Sequence, residues 1–264
     1  MRAQVHGMDG KKTGEMELGK AFSNKVRVDL VLRAFLAEQS ARRQAYGTDP
    51  MAGKRTSAHY HGERGRRWAM MNREMARGKR IHNQGNLNYT GRFTPHAIKG
   101  RAAHPPKAEK IWEVKINKKE KIKAMFAALS ATTDKSLVSQ RGHLVNGSPV
   151  PYVFEDKLEE LKNTKKLVDL LRSIGLGNEL ERAKEKTVRA GKGKVRGRKY
   201  KKKKSLLIVV KDDKGLGKAA RNMAGVDVSS TKGLTVSLLA PGGHPGRLTL
   251  FTKSAIDDLN KLGG

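Results

Sequence analysis

The sequence contains no cysteine, which excludes disulfides and thiolate metal sites. Aromatic residues make up only 5% of it and apolar residues 37%, too little to line a core spread evenly over 264 positions. The apolar residues must therefore be concentrated in part of the chain. No apolar run approaches the roughly 20 residues that span a bilayer, and the basic stretches lack the apolar face of an interfacial helix, so no membrane partner is expected. The opening residues, MRAQVHG, have no apolar stretch suited to a secretory signal, which leaves the cytoplasm as the expected location. Acid is also scarce: 25 Asp and Glu stand against 56 Lys and Arg, a net charge of +31. Self-repulsion of that size opposes a compact state unless a polyanion neutralises it, which is the footprint of a nucleic-acid partner.

The pattern along the chain is uneven. Residues 1–20 alternate weakly around Asp9-Gly10 and Thr13-Gly14, turn chemistry that predicts a short hairpin. From Val26, the apolar positions Val28, Leu30, Val31, Ala34, Phe35 and Leu36 predict a helix that turns polar at Arg42-Arg43-Gln44 and stops near Gly47. Between Ala41 and Lys110 there are 16 basic and 4 acidic residues, a fourfold excess of base. The large apolar side chains of this stretch, methionine aside, are Trp68, Ile81, Leu87, Phe93 and Ile98. Burial of so few cannot offset the entropy of ordering the segment, so it reads as an arm that orders on its partner.

Regular patterning resumes beyond residue 110. Asn117-Lys118-Lys119-Glu120 starts a helix carrying Ile122, Met125, Phe126 and Leu129, and after Gly147-Ser148-Pro149 the run 150–154 predicts a strand. Helices are predicted over 156–161 and 164–174, the second with Leu167, Val168, Leu170, Leu171 and Ile174 on one face and Gly175 as its stop. Residues 189–204, RAGKGKVRGRKYKKKK, hold 10 basic residues in 16 and no acid. They abut the continuous apolar run 205–210, as in a strand covered on both faces. A helix at 219–223, an extended stretch at 235–239, a strand at 248–252 and a helix at 254–262 complete the series. Strands interleaved with helices predict one α/β domain of three layers, a mainly parallel sheet with helices on both faces, plus a long extended basic loop. The domain is assigned to residues 1–47 and 111–264, and the loop to 48–110.

Four segments of this sequence, RAAHPPKAEK (101–110), AGKGKVRGRKY (190–200), AARNMAG (219–225) and LAPGGHPGRL (239–248), resemble in order and spacing the archaeal and eukaryotic type of large-subunit ribosomal protein four, the L-four family. The resemblance covers nearly the whole chain. It implies a non-enzymatic structural constituent of the large ribosomal subunit, with a globular α/β domain on the subunit surface. It also implies a long loop that penetrates ribosomal RNA toward the wall of the peptide exit tunnel, and early association with the RNA during assembly. Expected partners are large-subunit ribosomal RNA and neighbouring ribosomal proteins, with no homo-oligomer. Family members carry a shorter, Arg- and Pro-rich loop centre, from which the Met- and Asn-containing stretch 68–89 departs.

Within the arm, Gly62-Glu63-Arg64-Gly65-Arg66-Arg67-Trp68 interleaves guanidinium groups, glycine and an aromatic ring, suited to phosphate contact and to stacking on an unpaired base. A solvated basic loop is the plain alternative. The expected RNA contacts are Arg64, Arg66, Arg67, Trp68, Lys99, Arg101, His104 and Lys107 in the arm. In the second basic segment they are Lys192, Lys194, Arg196, Arg198, Lys199 and Tyr200.

Other chemistry is weaker. Gly215-Leu216-Gly217-Lys218-Ala219-Ala220 imitates a dinucleotide fingerprint, but a polar insert at 211–214 separates it from the preceding strand and no acid follows at ribose-binding distance. An RNA-modifying enzyme with a nucleotide-type cofactor at the sheet edge is the competing class, and an RNA chaperone or regulator is a third. No cofactor and no catalytic residue is expected. Of eight histidines only His59-x-His61 approaches metal spacing, without thiol or carboxylate beside it, so no metal site is expected.

Overall fold

In the computed structural model, which describes residues 1–145 and 149–262, the chain forms two compact units, Met1–Arg42 with Glu113–Gly264, and Arg43–Trp112. The first unit opens with the hairpin β1 (Arg2–His6) and β2 (Lys12–Glu17), followed by α1 (Val28–Ala41). After the insertion come α2 (Lys118–Ala131), α3 (Lys135–Gln140), β3 (Tyr152–Phe154), α4 (Thr164–Ser173) and α5 (Gly177–Lys184). A second hairpin follows, β4 (Lys186–Val188) with β5 (Tyr200–Lys202). The rest alternates: β6 (Leu207–Val210), α6 (Leu216–Ala220), β7 (Asp227–Ser230), α7 (Val236–Leu239), β8 (Thr249–Thr252) and α8 (Lys253–Leu262).

Six strands form one sheet in the order β2-β1-β3-β8-β6-β7, parallel throughout except for the β1–β2 pair at one edge. Both faces are covered, and alternation along each strand divides the side chains between two cores. Val153, Leu207, Val209 and Phe251 join one core with α1, α2, α7 and α8. Tyr152, Phe154, Ile208, Val210 and Leu250 join the other with α3 to α6. Phe22 meets Phe251 edge to face at 5.4 Å in the first core. The fold is thus an α/β layer structure with a mainly parallel sheet and a small extra hairpin sheet.

Local chemistry explains the helix ends. Asn163 caps α4, its side chain accepting from Lys165 N at 2.9 Å, and Asp134 caps α3 through Ser136 N at 2.9 Å. Gly175, at φ +88°, takes the left-handed turn that ends the α4 segment.

Several sequence expectations need correction. α1 ends at Ala41, short of Gly47, because Ala37 is its last buried residue and nothing apolar beyond it has a surface to cover. The buried face of α2 is built on Ala124, Ala127, Ala128 and Leu129, while Ile122 is half exposed, since alanines let α1 and α2 approach closely. Residues 156–160 make a 3₁₀ turn in place of a helix. Residues 235–239 are not extended: 236–239 are α7, whose first amides, Val236 N and Ser237 N, are accepted by Glu38 of α1 at 3.3 and 2.9 Å. That cap comes from a residue nearly 200 positions away and leaves no local sequence signal. The helix expected at 219–223 begins earlier, at Leu216. α3, α5, β7 and the β4–β5 hairpin had no sequence prediction. Gly147 and Ser148, expected to precede β3, lie outside the described residues.

The second unit has little regular structure. Its ordered pieces are the 3₁₀ turn Gly85–Leu87 and isolated antiparallel bridges from Arg80 to His59 and to Gly91. Its buried apolar residues are Ala58, Ala69, Met70 and Ile81. Six non-glycine residues with positive φ, Trp68, Asn72, Asn83, Tyr89, Phe93 and Lys99, all fall within it. For bulky residues that conformation costs roughly 1 kcal/mol or more each.

Candidate nucleic-acid interface

In the first unit, the β4–β5 hairpin carries an 11-residue irregular loop, 189–199, between its strands. Gly191 and Gly197 have φ of +75° and +77°, the left-handed turns that let the loop fold back so tightly. Arg189 N donates to Lys199 O at 2.8 Å and Arg198 N to Gly193 O at 3.1 Å, so the loop is closed by its own backbone. Lys192, Lys194, Arg196, Arg198 and Lys199 lie on this loop and Tyr200 opens β5, and all six are exposed. None of these five cations forms an ion pair among the described residues. Lys199 Nζ lies over the Tyr200 ring at 5.4 Å.

The base of this hairpin is tied down by acids. Lys203 pairs with Glu185, and Lys204 with Asp227 at 2.8 Å. Asp227 also accepts from Arg247, whose Nε and Nη groups donate to the carbonyls of Ser205, Leu206, Gly225 and Leu238 at 2.8 to 3.2 Å. Burial pushes the Arg247 guanidinium below the ordinary arginine pKa, and the Asp227 charge opposes it. Burial works against ionising Asp227 too, yet the bonds and charges of Lys204 and Arg247 hold its carboxyl below the usual range.

A second anchor is Glu179, fully buried, which accepts from His143 Nδ1 at 2.7 Å, Leu144 N at 3.0 Å, Arg182 Nη2 at 2.6 Å and Ser205 Oγ at 2.9 Å. Burial raises its pKa, but these donors overcome it and bring the carboxyl down to about 2. Burial lowers the pKa of His143, and Glu179 only partly offsets this, so the imidazole is neutral at pH 7 and donates through Nδ1. Beside the network opens a groove of about 590 Å³ lined by Arg141, Arg182, Lys203, Lys204, His143 and His244. Arg141 is brought down to about 10 by burial and by the charges of Arg247 and Arg182, and stays cationic at neutral pH. Sequence reading singled out neither Arg141 nor Arg182. Arg182 is held by Glu179, and Arg141 by the carbonyls of Pro241 and His244, about 100 positions downstream.

In the second unit, Arg64, Arg66, Arg67, Lys99, His104 and Lys107 are exposed and Arg101 is half-buried. Arg66 pairs with Glu63 at 2.8 Å. Trp68 is half-buried, with Arg67 over its ring at 5.0 Å, Tyr89 at 5.2 Å and His82 at 5.9 Å. The ring is already part of an aromatic cluster within the unit. His104 and Lys107 share a groove of about 740 Å³ with Tyr46, Lys110 and Trp112. There Tyr46 stacks on Trp112 at 5.4 Å, and Arg43 and Lys110 sit over the indole at 4.0 and 4.4 Å. Planar rings beside exposed cations suit a single-stranded nucleic acid, whose bases stack while its phosphates meet the charges. Gly53 lets two segments of the unit touch: a Cβ there would lie 2.6 Å from the Arg101 backbone nitrogen.

The structure also brings His82 to His59 and His61. Ring centroids are 4.2 Å apart for His59–His61, 4.1 Å for His59–His82 and 4.8 Å for His61–His82. Desolvation and the two neighbouring imidazoles hold His61 below the ordinary histidine pKa. Sequence reading had the pair but not the third ring, which lies 21 positions downstream.

The glycine loop that imitates a dinucleotide site is otherwise engaged. Asp213 Oδ1 accepts from both Gly215 N and Gly217 N at 3.0 Å. The amides that a pyrophosphate would need are held by the chain's own carboxylate, which would also repel it.

Residues 16–262 match the model of the ribosomal protein L4/L1 family. The chain is 44% identical over 267 residues to large ribosomal subunit protein uL4 of Archaeoglobus fulgidus, with 99% of each chain covered. It is 43% identical over 263 residues to large ribosomal subunit protein uL4 of Methanosphaera stadtmanae, covering 99% of this chain and 97% of that one. It is 44% identical over 266 residues to the protein of the same name from Nanoarchaeum equitans, covering 99% and 98%.

Proposed function

The chain belongs to the ribosomal protein L4/L1 family, and from that membership we propose that it is a structural constituent of the large ribosomal subunit that binds ribosomal RNA through two basic segments. As a member of this family it is not an enzyme. The observation that carries the RNA reading is the 189–199 loop, with its cluster of cations and no carboxylate of its own to neutralise them. Phosphates supply the missing charge, and the glycines allow a close backbone approach.

The second segment is the arm at 48–110. Its few buried apolar residues and its left-handed backbone positions support a segment ordered by a partner and not by its own core. On this reading the arm penetrates ribosomal RNA and reaches the wall of the peptide exit tunnel, and the protein joins the RNA early in assembly. Neighbouring large-subunit proteins complete its surroundings, and it forms no homo-oligomer.

Sedimentation through sucrose gradients at low and high salt tests the first claim: the protein runs with large-subunit RNA, and its binding to isolated RNA weakens steeply with salt. A protein that neutralises six to ten phosphates binds roughly 10³- to 10⁵-fold more weakly at 200 than at 50 mM salt. A free pool near the top of the gradient at both salts would sink the proposal. For the tunnel, a photo-crosslinker at Met71 should capture a nascent chain in stalled ribosomes.

A further inference from the structure

We propose that His59, His61 and His82 form a binding site for one divalent transition-metal cation of the zinc class, within the second unit. The bridge between His59 and Arg80, with Arg80 N donating to His59 O at 3.2 Å, pairs the two chain segments. Residues two apart in extended chain point the same way, so His59 and His61 share a face with Arg80 and His82. One ligand atom from each imidazole lies within 4.8 Å of the other two.

The hydrogen bonding assigns a coordinating nitrogen to each ring. His59 Nδ1 is 3.0 Å from Ser57 O; a carbonyl can only accept, so Nδ1 carries the proton and donates, which leaves the Nε2 lone pair available. A backbone carbonyl on the far nitrogen is the usual way a metal-binding histidine is oriented. His61 Nε2 and His82 Nδ1 are buried, with no hydrogen-bond partner among the described residues. Such orphaned nitrogens cost free energy unless something engages them. A tetrahedral ion with Zn–N near 2.0–2.1 Å needs ligand nitrogens about 3.3 Å apart, which modest side-chain rotation supplies. Three imidazoles leave the fourth position to water. Softer imidazole donors without carboxylates favour zinc, copper, nickel or cobalt over magnesium or calcium. The arginines of the unit oppose a dication, so binding is measured at an ionic strength that screens them.

The test uses untagged full-length protein, stripped with a chelator and titrated with Co²⁺. The site predicts one equivalent bound, with the visible absorption of a four-coordinate cobalt centre, bleached by one equivalent of Zn²⁺. In a Trp112→Phe background Trp68 is the sole tryptophan, and its ring, 5.9 Å from His82, is quenched by the cobalt. His82→Ala weakens binding by roughly tenfold or more, whereas His96→Ala, a histidine outside the cluster, leaves it unchanged. His82→Cys retains binding and adds a thiolate charge-transfer band, which separates loss of a ligand from loss of the fold. Absence of the cobalt spectrum, unchanged affinity in His82→Ala, or equal loss in His96→Ala overturns the site.

Discussion

Arg247 Nη2 donates to Asp227 Oδ2 at 2.6 Å from a side chain that is completely buried, while Asp227 is half-buried and also reaches Lys204. The same guanidinium joins the backbone at the entry to β6, in the turn before β7 and at the end of α7, and so fixes the strand that follows the basic hairpin.

Replacing this arginine should therefore act on the fold before it acts on binding. Arg247→Met takes a donor from four carbonyls, of which Leu206 O and Gly225 O keep the backbone amides of Asp227 and Ser205, and leaves Asp227 with Lys204 alone, a destabilisation of roughly 3 kcal/mol or more. Urea unfolding followed by circular dichroism reads it as a lower midpoint. Asp227→Asn costs less, because the carbonyl bonds survive; the reverse ranking would mean that the ion pair outweighs them.

The cations of the 189–199 loop should behave in the opposite way. Changing Lys192, Lys194, Arg196, Arg198 and Lys199 together to Gln weakens RNA binding and lowers the salt slope by about 1 for each phosphate that goes unneutralised. The thermal transition of the protein alone stays where it was, since none of the five is buried. A shifted transition would assign them to the fold.

Acid should loosen the first unit through Glu179 and His143. Both have folded-state pKa values below their ordinary ones, 4.5 lowered to about 2 for Glu179 and a value under 6.5 for His143. A group with a depressed folded pKa contributes stability that is complete above its unfolded pKa and is lost as pH falls toward the folded value. Stability should thus begin to fall below about pH 6.5 and fall further between about 4.5 and 2. Glu179→Gln flattens the lower part of that curve, which denaturant titration at several pH values measures.

The cap on α7 gives a local prediction. Glu38→Ala removes the acceptor for Val236 N and Ser237 N and should cost about 1 kcal/mol. Amide exchange at those two positions should speed up more than at β6. Uniform acceleration across the unit would point to a global effect of the substitution.

Much of the architecture could be read from the chain because continuous apolar runs have few other uses. Leu207–Val210 is a strand buried on both faces, as its composition implied, and the apolar stripe of α4 packs where its spacing put it. Legibility ended where an element depends on a distant partner. β7, Asp227–Ser230, carries one large apolar residue and exists because β6 and Arg247 hold it. α7 needs Glu38, and the third histidine of the cluster needs the His59–Arg80 bridge. The basic segments stood out from charge alone, but the rings around Trp68 and Trp112 are meetings between residues many positions apart.

The segment 43–112 leaves the first unit after α1 and re-enters it before α2, and these helices pack against each other. At the seam Val114 N donates to Ser40 Oγ at 2.9 Å, so the exit and entry points are within one hydrogen bond. A chain that departs and returns at one spot can change in length at little thermodynamic cost, about 0.6 kcal/mol for each doubling. The insertion can thus lengthen or shorten at little thermodynamic cost to the sheet and its two cores.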